Sequence, residues 1–158
     1  MIPSWLAVGT IAFLVAVPMS RLSSRDRRWF NRLRRPHWLT FEGLIPVIWI
    51  SIFLCGAASA NLTWLTQPGT AQTWTLMGLY LALEVVTLAY TPVMCKLRSL
   101  KAGTLLGAAG FILGLLLFSL VSQRSAGAAG LLVPFLLWSP VGTFVTWKMI
   151  ALNPTDSY

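Results

Sequence analysis

Residues 102–122 read AGTLLGAAGFILGLLLFSLVS, a run of 21 residues without one charged side chain. A helix of about 20 residues spans the hydrocarbon core of a bilayer, which is about 30 Å thick. Four more apolar segments occupy residues 3–19, 44–65, 74–95 and 130–152. None of them alternates between apolar and polar residues as the strands of a membrane barrel do. The sequence therefore predicts an all-α integral membrane protein, in which residues 1–158 form a single domain of five transmembrane helices.

The composition indicates that lipid, rather than water, is the main solvent of the folded chain. Of the 158 residues, 56% are hydrophobic and 10% are charged, whereas soluble domains carry about 25% charged residues. The net charge of +8 comes mainly from one basic loop at residues 20–43, so nucleic-acid binding is not expected. The two cysteines, Cys55 and Cys95, lie in or beside apolar segments. Their spacing predicts neither a disulfide framework nor a metal site, so we expect them to pack as small hydrophobes.

The charges of the loops predict the orientation in the membrane. Seven arginines precede the second apolar segment, and Lys96, Arg98 and Lys101 lie between the third and fourth segments. The loop at residues 66–73 carries no charge, and the loop after the fourth segment carries only Arg124. The positive-inside rule places both basic loops and the C-terminus in the cytoplasm and the N-terminus outside. This pattern favours a bacterial inner membrane, with the outer membrane as the alternative.

Glycines in the fourth segment predict close packing of helices. Gly103 and Gly107 are four residues apart, and so are Gly110 and Gly114. Small residues at this spacing let helix backbones approach each other in lipid. The glycines serve either contacts inside the bundle or the interface of a homodimer.

Aromatic residues predict both anchors and a cavity. Six tryptophans fall near the predicted membrane boundaries, where indole rings anchor helices; they are Trp5, Trp64, Trp74, Trp29, Trp38 and Trp147. Trp49 lies deeper, with Phe53 one turn later on the same helix face. Trp138 lies between Pro134 and Pro140, and prolines at this depth bend helices and free backbone carbonyls. We expect a cavity between helices here, with simple core packing of large side chains as the alternative.

Few residues of the sequence could carry catalysis by side chains. Glu84 is the only carboxylate deep in an apolar segment, and Thr87 and Thr91 follow it on one helix face. Such a residue marks a functional site or is protonated and hydrogen-bonded to a neighbouring helix. The single histidine, His37, is either an axial heme ligand or a solvated loop residue. No nucleophile–base–acid set, phosphate loop or metal cluster is visible, so we expect no metal and no required cofactor.

The basic loop and the helices around it resemble a known family. WFNRLRRPHW at residues 29–38 and IPVIWISIF at residues 45–53 resemble the loop and second-helix motifs of the TspO or translocator protein family. The family pattern W-[YF]-x-x-L-x-[KR]-P-x-W is matched, with the helix aromatics, by Trp29, Phe30, Leu33, Arg35, Pro36, Trp38, Trp49 and Phe53. The fifth segment is similar to the family's LL-x-P-[YF]-x-x-W stretch ending in L-N, and YTPVMCKLRSL at residues 90–100 resembles the end of its third helix.

The chain departs from the family pattern at several places. Thr40 and Phe41 stand where the family has two prolines, and Thr87 and Thr146 stand where it usually has asparagines. The sterol motif of the family needs a tyrosine before a basic residue, but here a tryptophan precedes Lys148. Sterol binding in that form is therefore not expected.

The resemblance implies a five-helix bundle, often dimeric, with a ligand pocket between the helices under the first loop. Ligands of the family are tetrapyrroles such as protoporphyrin IX and heme, together with sterols and benzodiazepine-like drugs. The pocket residues carried over from the family are Trp38, Phe41, Trp49, Phe53, Pro134, Phe135 and Trp138, followed by Thr87 and Thr146. Indoles stack on flat rings, and arginines donate paired hydrogen bonds to carboxylates. Arg32, Arg34 and Arg35 are the candidate partners of porphyrin propionates.

The expected function is that of a membrane receptor or sensor that binds tetrapyrroles in stress or tetrapyrrole regulation. One alternative is an enzyme that degrades porphyrin in light, with Trp49 and Trp138 as redox-active residues. Another alternative is a transporter of porphyrins or other small hydrophobic molecules, and Glu84 is the residue that favours transport.

Overall fold

The computed structural model describes residues 3–19 and 22–156, and in that part of the chain every regular element is helical. The α-helices are α1 Ser4–Met19, α2 Ser24–Arg32, α3 Ile45–Thr66, α4 Ala71–Leu97, α5 Leu100–Ser122, α6 Ala126–Gly130 and α7 Val133–Leu152. Single 3₁₀ turns occur at Glu42–Leu44 and Pro154–Asp156. The predicted all-α class is confirmed.

Four stretches of helix are long and apolar enough to cross a membrane. They are Glu42–Thr66, Ala71–Leu97, Leu100–Ser122 and Ala126–Leu152. The apolar part of α1, Ser4–Val17, is shorter than these four stretches. The sequence predicted five helices, all of them transmembrane. The described residues instead form six helices when α6 and α7 are counted as one, so the predicted number was wrong.

The additional helix is α2, which forms inside the segment that the sequence predicted to be a loop. Ser23 caps it by accepting a hydrogen bond from the backbone N–H of Asp26 at 3.1 Å. An acidic residue in the first turn and Arg32 in the last turn both stabilise the helix, because their charges are opposite to the helix dipole at each end. Trp29 and Leu33, four residues apart, are buried, while Arg32 between them is exposed. Trp29 is 2% exposed, so its ring packs inside the protein instead of facing lipid as an anchor.

The glycines of α5 are used for packing within the chain. A Cβ atom added at Gly103 would lie 2.6 Å from Sδ of Met94 in α4, and one at Gly114 would lie 2.5 Å from Cε1 of Phe135 in α7. A Cβ atom at Gly107 would clash with Thr143. Helix α5 can therefore approach α4 and α7 closely only because these positions have no side chain. A homodimer stays a prediction.

A tight turn joins α4 and α5 and sets the end of the bundle. Arg98 closes α4 with a φ of 50°, and Ser99 caps α5 by accepting a hydrogen bond from the N–H of Ala102 at 3.1 Å. The start of α3 and the end of α7 lie at the same end, where α2 packs against α4. We call residues 22–44 the loop segment and this side of the bundle the loop end.

The outer surface of the bundle carries large apolar side chains. Leu105 is 71% exposed, Leu137 69% and Leu54 67%. Large apolar side chains in such numbers on the outside of a water-soluble protein would form a patch much larger than monomers tolerate. Lipid is thus the environment that the folded surface fits.

Candidate functional site

A cavity of about 550 Å³ lies between α3, α4, α5 and α7 at the loop end of the bundle. Residues of the loop segment, among them Phe30, Leu39 and Glu42, close it on one side. Gly107 and Gly110 leave room for it on the α5 side, where any side chain would take up space. Its volume falls in the range of cavities that bind drug-sized ligands.

Seven of the residues expected from the sequence lie around this cavity. They are Trp49, Phe53, Thr87, Phe135, Trp138, Thr146 and Arg35. These side chains come from α3, α4, α7 and the loop segment, and the fold brings them together although they are spread over more than two thirds of the chain. Their role in ligand binding stays a prediction.

The other five expected residues lie outside the cavity lining. Trp38 is 47% exposed, and its ring centroid is 6.2 Å from that of Phe144. Phe41 packs behind the wall at 6.2 Å from the ring of Trp138. Pro134 is in the first turn of α7, where its missing N–H breaks no helical hydrogen bond. The remaining two, Arg32 and Arg34, also do not line the cavity.

Aromatic rings form one wall of the cavity. The rings of Trp49 and Phe53 are 5.9 Å apart and tilted by 34°. The Phe41 and Trp138 rings are tilted by 59°. Such tilted pairs are favourable for aromatic rings and hold the ring planes in fixed orientations. The wall can therefore offer flat, rigid apolar surface to a ligand.

The charged end of the cavity is an ion pair. Nη1 of Arg35 donates a hydrogen bond to Oε2 of Glu42 at 2.6 Å. The Arg35 guanidinium also lies 5.2 Å from the centre of the Phe30 ring. Glu42 was not among the residues predicted from the sequence, although it is the only acidic residue between Arg35 and Glu84. A ligand carboxylate that binds Arg35 must compete with this partner.

A hydrogen bond between Tyr90 and Thr146 connects α4 and α7 at the cavity. Tyr90 was not among the predicted site residues and stood out in the sequence only as part of a helix-end motif. The hydroxyls of Thr87 and Thr143 bond within their own helices. Thr87 donates to the carbonyl of Leu83 at 2.7 Å, so it is free only to accept a hydrogen bond from a ligand.

Asn153 holds the loop segment over the cavity. Its Oδ1 accepts a hydrogen bond from the N–H of Arg34 at 2.9 Å. Its Nδ2 donates to the carbonyls of Arg34 and Met149, each at 2.9 Å. Because Asn153 follows the last residue of α7, it ties the loop to the same helix that supplies Trp138. The sequence signal for this residue was the L-N ending of the fifth segment.

Comparison with known proteins identifies the chain. The family model of the TspO/MBR family matches residues 5–152. The chain belongs to the TspO/MBR family. It is 26% identical over 151 residues to the uncharacterized membrane protein YtaB of Bacillus subtilis (strain 168), covering 94% of this chain and 95% of the relative. It is 27% identical over 128 residues to the tryptophan-rich protein TspO of Bacillus cereus, covering 81% of this chain and 82% of the relative.

Family membership and the apolar helices together establish an integral membrane protein. The family resemblance seen in the loop and fifth-segment motifs is confirmed. In this TspO/MBR chain, His37 is exposed and does not line the cavity. No group of three or more potential metal ligands occurs within the described residues.

A second cavity, of about 700 Å³, lies between α1, α3 and α4 toward the other end of the bundle. Glu84 lines this cavity and not the first one, whereas Thr91 lines the first cavity only. Three residues, Phe53, Thr87 and Phe135, line both and so form a partition between the two. The polar stripe expected on α4 thus runs from one cavity to the other.

Proposed function

We propose that this TspO/MBR protein is a receptor that binds a tetrapyrrole such as protoporphyrin IX or heme in the cavity at the loop end. The observation that carries the proposal is the combination of an aromatic wall with one arginine inside a cavity of about 550 Å³. A porphyrin is a flat apolar ring with two propionates. It would lay its ring against Trp49 and Trp138 and direct a propionate to Arg35.

The proposed topology has five transmembrane helices, with α1 as the first. Helix α1 packs against α3 and α4, and its residues Phe13 and Leu14 are 66% and 63% exposed. With 16 residues it spans about 24 Å, so the bilayer must thin slightly beside it. From the positive-inside rule we propose that the loop end faces the cytoplasm, and we propose the inner membrane as its location.

The Arg35–Glu42 ion pair gives the proposed receptor a way to respond to its ligand. A propionate bound to Arg35 displaces the carboxylate of Glu42, which belongs to the 3₁₀ turn that leads into α3. Ligand binding is thereby coupled to the position of the loop segment. A loop that moves on binding can present a different surface to a partner in stress or tetrapyrrole regulation.

The proposal is tested by titrating the purified protein with protoporphyrin IX in the dark and following tryptophan fluorescence. The wild type should show saturable quenching, and Trp49→Phe/Trp138→Phe should bind with at least about tenfold weaker affinity because two stacking surfaces are reduced. The matched control is Trp5→Phe/Trp147→Phe, which also leaves six tryptophans but changes residues outside both cavities. Quenching that never saturates, or equal affinity in both variants, would contradict the proposal.

A second candidate function is porphyrin degradation in light. The observation that favours it is that two indoles, Trp49 and Trp138, line one cavity with the proposed ligand. Illuminated protoporphyrin should then lose its absorbance faster with wild-type protein than with Trp138→Phe at equal occupancy. Equal loss in empty micelles would rule this function out.

Transport is a third candidate. It is favoured because the two cavities adjoin each other at the partition between them. If porphyrin passes from one cavity to the other, Glu84→Gln should reduce uptake into proteoliposomes while binding is unchanged. Unchanged uptake would remove the support that Glu84 gives to transport.

A further inference from the structure

The second cavity is apolar except for a few side chains. Small residues of α1, including Ala7 and Ala12, form one side. Trp64 and Trp74 close the end far from the loop segment, with ring centroids 5.0 Å apart in an edge-to-face arrangement. The cavity has the size of a ligand site and is separate from the aromatic wall and ion pair described above.

Glu84 lies at the middle of α4, thirteen residues from each end. That distance is about 20 Å along the helix, which places the carboxyl near the centre of the bilayer. It is the only acidic residue in α1, α3, α4, α5 and α7. Within residues 3–19 and 22–156 the structure gives its carboxyl no hydrogen bond and no ion pair, and the partly buried side chain lines the second cavity.

The hydroxyl groups around this cavity already have partners. Ser4 donates to Oδ1 of Asn61 at 2.7 Å. The hydroxyl of Tyr80 is 2.6 Å from Oγ of Ser59, and Thr87 is bonded to its own helix. Among the described residues that line the cavity, Glu84 is thus the acidic group left to interact with a ligand.

We propose that the second cavity binds hydrophobic amines, with the ligand nitrogen paired to Glu84. A carboxylate in hydrocarbon is costly unless a cation or a hydrogen-bond donor reaches it. A neutral alkyl ligand would leave the carboxyl without a partner, and an anion would be repelled by its ionised form. A neutral amine enters through the lipid and accepts the carboxyl proton: the O–H bond breaks, an N–H bond forms, and an ammonium–carboxylate pair results.

This site goes beyond the proposed tetrapyrrole function and takes the opposite charge. A porphyrin presents propionates, which suit Arg35 and are unsuited to Glu84. The two sites share only the partition between the cavities, so each can be tested in a variant that leaves the other unchanged.

The experiment uses two probes that differ only in their polar group, ω-bromoundecylamine and ω-bromoundecanol. Bromine quenches tryptophan fluorescence on contact. Trp74 lies ten residues before Glu84, about 15 Å along α4, and an undecyl chain covers a comparable length. A nitrogen held at Glu84 therefore brings the bromine to the ring pair of Trp64 and Trp74.

The amine should quench the wild type saturably, and its midpoint should rise about tenfold or more in Glu84→Gln, because a charge-assisted hydrogen bond is lost. The alcohol should behave alike in both proteins. Trp138→Phe, which changes only the first cavity, should leave the amine midpoint unchanged. Equal amine midpoints in the wild type and Glu84→Gln, or equal behaviour of amine and alcohol in the wild type, would overturn the proposal and leave a cavity filled by lipid chains.

Two measurements keep this result independent of folding and of the proposed function. Protoporphyrin titration of Glu84→Gln should match the wild type, which shows that the bundle is intact. If Glu84→Gln does not fold, Glu84→Asp keeps the carboxyl but withdraws it by one methylene, and its amine midpoint should be raised while the alcohol is unaffected. If the amine midpoint of Glu84→Asp equals that of the wild type, and the amine and the alcohol behave alike, the result would count against the proposal.

Discussion

Replacing Asn153 with alanine should release the loop segment from the end of α7. The side chain makes three hydrogen bonds, all at 2.9 Å, and is 8% exposed. Two of them join Asn153 to the backbone of Arg34, while the third, to Met149, lies within α7 and is not broken when the loop opens. Because each such bond contributes about 1 kcal/mol net, we expect a loss of up to about 2 kcal/mol in the free energy of local opening.

A loss of this size raises the population of the open loop about 30-fold. The loop segment is rich in arginine, so trypsin cleaves it when it opens. Where opening and closing are fast compared with cleavage, the cleavage rate follows the open population. Limited trypsin digestion of the detergent-purified protein, with the first cut located by mass spectrometry, should show Asn153→Ala cut about 30-fold faster within residues 22–44.

The matched control is Asn61→Ala, which removes a partly buried asparagine that accepts a hydrogen bond from Ser4 at the other end of the bundle. It should not change cleavage of the loop segment. Asn153→Asp gives a sharper test, because it keeps the acceptor for the N–H of Arg34 but places a carboxylate oxygen against the carbonyls of Arg34 and Met149. It should therefore not rescue the loop. Equal cleavage of Asn153→Ala and the wild type would refute the assigned anchoring role.

Two further predictions concern packing and charge. Gly114→Ala places a Cβ atom 2.5 Å from the rigid ring of Phe135 and should lower the free energy of unfolding by about 1–3 kcal/mol in a denaturant titration. The control Gly56→Ala, whose Cβ atom meets nothing within 4 Å, should leave it unchanged. Equal effects of the two substitutions would mean that α5 does not approach α7 as described. Glu42→Gln frees Arg35 and should tighten protoporphyrin binding about two- to fivefold, which corresponds to the free energy of a partly exposed ion pair. Binding of the dimethyl ester of the porphyrin, which has no carboxylates, should not change. Unchanged binding of the free acid would exclude Arg35 as a propionate partner.

The helices and the cavity wall could be predicted from the sequence because their signals are local. A long run without charge predicts a membrane helix whatever its neighbours are. Trp49 and Phe53 are four residues apart, so helix geometry alone puts them on the same face. Helix α2 was missed because its arginines dominated the interpretation, although Trp29 and Leu33 already lie four residues apart. Charge predicted where the segment lies, while the spacing of its two apolar residues predicted its conformation.

The polar contacts of the site could not be predicted, since they depend on how helices meet. Nothing in the sequence tells that Tyr90 meets Thr146 across α4 and α7, or that Glu42 is the partner of Arg35. Trp38 lies outside the lining of the cavity. Its place in the loop motif suggested a pocket wall, but the structure puts it against Phe144 on the outside of α7.

The polar groups of the bundle fall into two kinds, and the difference shows where ligands would act. Most hydroxyls bond to the carbonyl one turn earlier in their own helix, as Thr87 and Thr143 do, which satisfies them in lipid without any partner. Arg35 and Glu84 cannot be satisfied in this way because each carries a charge or an acidic proton at a cavity. Arg35 has a replaceable partner at the loop end, whereas Glu84 has none within the described residues. The two proposals therefore place an anion site and a cation site on opposite sides of one partition, and a single substitution in each cavity tests which ligand charge it takes.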